Sequence, residues 1–235
     1  MKRIIILAVA LCLSMALSAQ TVFKLGPGFD QGDVGRLRFG VTGGMNFSTI
    51  SKPAEPSRIS FSGGLEVLLP FSPHVYADMK VLYSNKGFKF DYSSLGHENC
   101  SLEYIEMPLH AGYQIAVMKG VRLFADAGPY LAYGYSYHHT DKARVYDVIV
   151  DLYELLGAPY SIDEFKINEE QERKDWNKLD VGLGVTAGIE LFRYCRVFFC
   201  YERGLRPVWK AITYIPTADN TTVNINKHVG LSILF

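Results

Sequence analysis

The chain has 235 residues, with 24 basic and 24 acidic side chains and an apolar fraction of 49%. Its balanced charge argues against nucleic acid as a partner, and past the N-terminus no run is long and apolar enough for a transmembrane helix. Beyond Cys12 the cysteines are Cys100, Cys195 and Cys200, an odd number without a CxxC pair; this is neither a disulfide framework nor a zinc motif, and no metal or cofactor is expected.

The N-terminus begins with the basic "MKR", continues with the apolar "IIILAVALCLSMAL" and ends on the small residues of "SAQ". This is the layout of a secretory signal peptide, so residues 1–19 are read as a cleaved export signal and residues 20–235 as the mature domain. Leu11 precedes Cys12, where a lipoprotein signal needs a small residue. Loss of Lys2 and Arg3 leaves 22 basic against 24 acidic residues, a net charge of −2.

From Arg38 onward the dominant signal is alternation, the period of a strand with two unlike faces. The first strand, "RFGVTGGMNFS", sets Phe39, Val41, Met45 and Phe47 against Arg38, Gly40, Thr42, Gly44 and Asn46. "SFSGGLEVLLPF" sets Phe61, Leu65, Val67, Leu69 and Phe71 against Ser62, Gly64 and Glu66. In "VYADMKVLY", Val75, Ala77, Met79, Val81 and Tyr83 oppose Asp78 and Lys80. In "YIEMPLHAGYQIAV" an apolar row from Ile105 to Val117 opposes Glu106, Pro108, His110, Gly112 and Gln114; Pro108 removes a ladder donor, and a bulge is expected there. "VRLFADAGPYLAYGYSY" opposes Val121, Leu123, Ala125, Leu131, Tyr133, Tyr135 and Tyr137 to Arg122, Asp126, Gly128, Gly134 and Ser136. "LDVGLGVTAGIEL" opposes Leu179, Val181, Leu183, Val185, Ala187, Ile189 and Leu191 to Asp180, Glu190 and a row of glycines. "RVFFCYE" and "KHVGLSILF" complete eight strands, with Arg196, Cys200 and Glu202, then His228, Gly230 and Ser232, opposite the apolar row. Cys195 and Cys200 fall on opposite faces, so no disulfide joins them.

The connections alternate in length. "SPH", "MKG" and "RYC" are short, whereas 50–59, 93–101, 138–177 and 207–226 are long. That pattern predicts an all-β, eight-stranded antiparallel up-and-down transmembrane barrel, with short periplasmic turns and long extracellular loops. A soluble ligand-binding barrel is the structural rival, and glycine decides between them. A water-facing side has no use for so many glycines, whereas the crowded inside of a narrow barrel does. The apolar row therefore faces lipid. The inner face is a polar network of Glu66, Asp78, Lys80, Glu106, His110, Arg122, Asp126, Asp180, Glu190, Arg196 and Glu202. The pairs Gly43–Gly44 and Gly63–Gly64 are read as glycines for tight packing. Tyrosines near strand ends fit an aromatic girdle, and Phe235 ends the chain in register with the lipid face, as a membrane-insertion C-terminus.

The long segment 138–177 holds "ARVYDVIVDLYELLGAP", whose Val145, Val148, Ile149, Leu152, Leu155 and Leu156 follow helical spacing before Gly157 and Pro159. The same stretch is rich in β-branched residues, and strands five and six extended past the membrane fit it too. His138, His139 and Asp141 at the rim are weak candidates for a metal or acid–base site, and a solvated loop is the default. No GxSxG, HExxH or phosphate-cradling loop is present, so no catalytic residue is assigned.

The signal ending "SAQ", "FGVTGGMNFS", "LEYIEMPLHAGYQ", "LDVGLGVTAGIEL" and "VGLSILF" together resemble the outer-membrane β-barrel domain of Bacteroidetes, the PorT family; "YIEMPL" is the most specific piece. The resemblance spans essentially the whole mature chain. It implies an eight-stranded barrel in the outer membrane of a Gram-negative bacterium, without implying one activity. The family's namesake works in protein secretion, and the family supplies no catalytic motif to transfer. The resulting expectation is a non-enzymatic barrel with a side-chain-filled interior, presenting loops for envelope structure or partner binding. Its partners would be outer-membrane lipid, the barrel-assembly machinery during insertion, and a protein bound at 138–177. The rivals are a component of a secretion or assembly machine, a small-solute pore and a rim enzyme.

Overall fold

The computed structural model describes residues 35–51, 57–91, 97–140, 155, 157, 175–210 and 221–235; the expected export signal over 1–19 lies outside them. The alternating segments form eight strands: β1 (Arg38–Ile50), β2 (Arg58–Pro70), β3 (Val75–Asp91), β4 (His97–Met118), β5 (Val121–Thr140), β6 (Leu179–Leu191), β7 (Cys195–Gly204) and β8 (Asn224–Leu234). Each pairs antiparallel with the next, and β8 closes on β1 from Gly40↔Leu234 to Ile50↔Asn224. Within the barrel, closure pairs each strand with both neighbours and removes the sheet edges, which an open sheet in lipid has no means of satisfying.

The two faces are inverted relative to a water-soluble barrel. Leu65 is 63% exposed, Val185 55% and Met45 52%, whereas Glu66 and Arg196 are each 1% exposed. Such a continuous outward apolar band is stable only against lipid, and the soluble alternative fails on it.

The ends of the strands depart from the sequence reading. The third strand, expected to stop at Tyr83, continues to Asp91, and the fourth starts at His97 rather than Tyr104. "SNKGFKF" carries turn-forming residues, yet Ser84, Lys86 and Phe88 keep the inward alternation and are buried. Gly87 permits the run: its φ is +147°, and a Cβ there would lie 2.0 Å from the Cys100 carbonyl oxygen. β2 pairs with β3 only as far as Ser62↔Ser84, and β6 with β5 only as far as Leu179↔Tyr133. Residues 85–91, 97–103 and 134–140 therefore stand above the barrel as a three-stranded sheet.

Two local expectations are corrected. A register shift between Glu103 and Tyr104 inserts Tyr135 as an extra residue in β5. The bulge changes the phase beyond it, so Tyr137 turns inward and is 7% exposed instead of facing lipid. At Pro108, by contrast, the register is the same on both sides, from Met107↔Leu131 to Ala111↔Ala127; the strand absorbs the lost donor without a bulge. The paired glycines also divide. A Cβ on Gly44 or Gly64 would lie 2.1 or 2.0 Å from a neighbouring carbonyl oxygen, while Gly43 and Gly63 have ordinary room.

All three short turns lie at the end of the barrel that holds the C-terminus. Phe192 and Arg193 adopt φ of 51° and 70° in the β6–β7 turn, conformations unusual outside glycine. The Phe192 amide donates to the Gly120 carbonyl of the adjacent turn at 2.7 Å, which ties the two turns together.

Candidate functional site: the filled barrel interior

The inward alternation places Glu66, Asp78, Lys80, Glu106, His110, Asp126, Asp180, Glu190, Arg196 and Glu202 inside the barrel, all buried. The side chain of Arg122 is 25% exposed, at the short-turn mouth. Two groups form. In the half toward the short turns, Arg196 donates to Glu66 at 2.8 Å, Asp78 at 3.1 Å and the Tyr76 hydroxyl at 3.0 Å. Lys80 reaches Asp78 at 2.8 Å. Arg38 and Arg122 bind the two oxygens of Glu190 at 3.2 and 3.1 Å. His110 Nδ1 meets Asp126 at 2.8 Å, and the Tyr76 hydroxyl donates to the other Asp126 oxygen at 2.7 Å. Besides His110, four Arg and Lys side chains face four acids here, a balance that buried ions require.

The half toward the loops is built around Lys86, which donates to Glu106 at 2.9 Å and Glu202 at 3.1 Å. Asp180 takes hydrogen bonds from Asn224 at 2.9 Å and the Tyr130 hydroxyl at 3.3 Å, and Glu202 takes one from Asn226 at 3.0 Å. Neutral donors thus serve Asp180, which the single lysine does not reach, and add to the lysine at Glu202.

Lys86 was missed in the sequence reading because the third strand was ended at Tyr83. The large inward aromatics were missed as well, since a narrow interior was expected to hold small residues and paired charges. The two misses meet in one arrangement. Each central cation lies on a ring: Arg196 on Phe124 (3.6 Å to the centroid) and Tyr76 (5.1 Å), Lys86 on Tyr130 (4.5 Å), and Lys80 on Phe198 (5.1 Å). Those rings lie on glycines of neighbouring strands. A Cβ on Gly112 would come within 2.2 Å of the Tyr76 ring, one on Gly182 within 2.5 Å of Tyr130, one on Gly188 within 2.7 Å of Phe124 and one on Gly230 within 2.6 Å of Phe198. The glycine rows of the sequence are therefore seats for rings that in turn hold the cations.

Between the two halves lies a cavity with about 20 Å³ open to the centre of a water molecule, lined by Asn46, Ser84, Glu106, His110, Glu202, Asn226 and His228 among others. It has room for one or two waters. His110 Nε2, His228 Nε2 and Asn226 Oδ1 are buried without a protein hydrogen-bond partner and suit such waters. No three described His, Cys, Asp or Glu side chains come together as a metal site.

The loop end is closed by an apolar cluster of Phe88, Leu102, Tyr104, Tyr137, Trp176, Val208 and Trp209. Trp176 donates from Nε1 to the Tyr104 hydroxyl at 3.3 Å and occupies the space over Gly134, where a Cβ would lie 2.2 Å from its ring. Its backbone bridges to Trp209, and the Asn177 amide donates to the Val208 carbonyl at 2.7 Å. The segment expected as a loop over 138–177 is thus shorter: 138–140 belong to β5, and 175–177 are woven into the mouth. Its candidate helix lies outside the described residues, apart from Leu155 and Gly157. At the rim, His138 is exposed and pairs with Ser136 Oγ at 2.7 Å, while the His139 side chain and Asp141 lie outside the described residues.

A closed antiparallel barrel with a lipid-exposed apolar band and a charged, filled interior is an integral outer-membrane β-barrel. The chain belongs to the family described as "Outer membrane protein beta-barrel domain", whose model matches residues 19–210. Comparison with curated proteins returned no match. Among solved structures, Neisserial surface protein A (NspA) aligns at 11% identity and TM-score 0.44, over 85% of this chain and 97% of that one. Ail, the attachment invasion locus protein of Yersinia pestis, aligns at 10% and 0.38, over 84% and 98%. OprG from Pseudomonas aeruginosa aligns at 9% and 0.40, over 84% and 95%.

Proposed function

We propose that this protein is a non-enzymatic outer-membrane anchor whose work is done outside the barrel, by the extended sheet of β3–β5 and the loops around it, in binding a protein partner. The interior carries this reading. It is filled by paired charges and stacked rings and closed by Trp176 and Trp209, which leaves no route for a solute through the described residues and no open cleft for a substrate among them. In this reading, residues 1–19 direct export and are removed, and Phe235 at the strand end is the residue presented during insertion. The PorT-like resemblance favours a partner within a protein-secretion or assembly machine.

The test is photo-crosslinking in living cells, with a photoreactive residue at His138 or at Leu155, both exposed. A discrete protein adduct is expected, and its identity separates a secretion component from a general envelope anchor. Adducts to lipid alone from both positions would remove the partner-binding reading.

A further inference from the structure

We infer that the outward face of β7–β8 carries a binding site for the anionic phosphate of an outer-leaflet lipid, held by Arg203 and Lys227. Their placement follows from register. Tyr201 pairs with Lys227 and Arg203 with Ile225, so the two cations are diagonal neighbours on one face, roughly 5–8 Å apart at the Cβ atoms. Both are exposed, and Tyr201, 37% exposed, lies beside them.

Depth makes the pair informative. Lys227 lies eight residues along the chain from Phe235. On a strand tilted about 45° that climbs roughly 19 Å, which sets it within the last few ångströms of a band about 25 Å tall. A cation at that level reaches for the headgroups and needs a counter-charge. Among the described residues none is supplied: the outward faces of β6, β7, β8 and β1 carry no Asp or Glu, and no described carboxylate lies beside Arg203 or Lys227 on this face. Just above, Lys178 and Arg206 are exposed on the same side. The opposite wall is built differently: Glu103 faces outward beside Tyr135, and Arg58 is spent on Asn85 at 2.7 Å and Ser101 at 3.2 Å. One side of the barrel therefore selects anionic headgroups, with the arginine fork and the lysine ammonium sharing one phosphate.

The test is native mass spectrometry of the barrel refolded in an uncharged detergent, mixed with equimolar dioleoyl phosphatidic acid and dioleoyl phosphatidylcholine. Wild type is expected to retain the phosphatidic acid preferentially. R203Q/K227Q is expected to lose that preference by about 25-fold, two basic residues at roughly five-fold each, while K119Q at the short-turn end keeps it. Heat-modifiable gel migration verifies the fold of each variant, and K227Q alone serves if the double variant does not fold. Equal retention of the two lipids by wild type, or an undiminished preference in R203Q/K227Q, would overturn the site. Full displacement of the lipid by excess inorganic phosphate would reassign it to free phosphate.

Discussion

At the residue scale, the unit of this interior is a glycine, a ring, a cation and the carboxylates around it. Arg196 shows the stakes, because Glu66, Asp78, Asp126 and Glu190 all lie within 4 Å of its guanidinium. Removing one partner of a buried ion pair leaves the other uncompensated, at a cost of about 3–5 kcal/mol. Arg196→Met is therefore expected to lower the unfolding free energy of the barrel in phosphatidylcholine vesicles, read from a urea titration, by that amount; an unchanged free energy would mean that water already solvates these acids. The glycine seat is testable by a cycle. Around a Cβ on Gly112 the three nearest atoms all belong to the Tyr76 side chain, so Gly112→Ala should destabilise by about 1–3 kcal/mol in wild type and much less on a Tyr76→Leu background. Additive effects would deny the contact. The inward acids and Arg196 were legible from alternation alone, whereas the rings beneath the cations were not. Whether a large side chain fits inside depends on what the next strand offers, and that is a matter of register.

At the element scale, the strands differ in job. β6, β7 and β8 have 13, 10 and 11 residues, lengths suited to crossing a bilayer, while β3, β4 and β5 have 17, 22 and 20. The surplus forms the projecting sheet, and the bulge at Tyr135 turns Tyr137 inward to meet Trp176 at 5.8 Å. Trp176 fixes the loop end by packing as well as by hydrogen bonding. Trp176→Ala is expected to cost about 3–5 kcal/mol, the range for truncating a buried tryptophan, and to speed proteolytic cleavage near residue 175. Unaltered cleavage with unaltered stability would show that the backbone bridges alone hold this segment. The pattern in the sequence runs out at these ends because Asn85, Lys86 and Gly87 read locally as a turn. Only pairing with β4 makes them strand.

At the scale of the whole molecule, closure, lipid exposure and a filled lumen belong together. A barrel of eight strands encloses just enough space for side chains, and here rings and paired charges occupy it around a cavity of about 20 Å³. The protein in a planar lipid bilayer is thus expected to be electrically silent at moderate voltage. Discrete single-channel steps from a pure, folded sample would contradict a sealed interior.

By itself the sequence determined the period-two alternation, the number of strands, the short and long connections, and which face is apolar. These properties are local, since a side chain's face follows from its parity along the strand. Tertiary structure decided which inner charges meet and which rings lie on which glycines. It also decided how far β3–β5 project and that Trp176 and Trp209 close the mouth. Those outcomes depend on the stagger between strands, and a one-residue slip, such as the bulge at Tyr135, exchanges inside for outside without any change in composition.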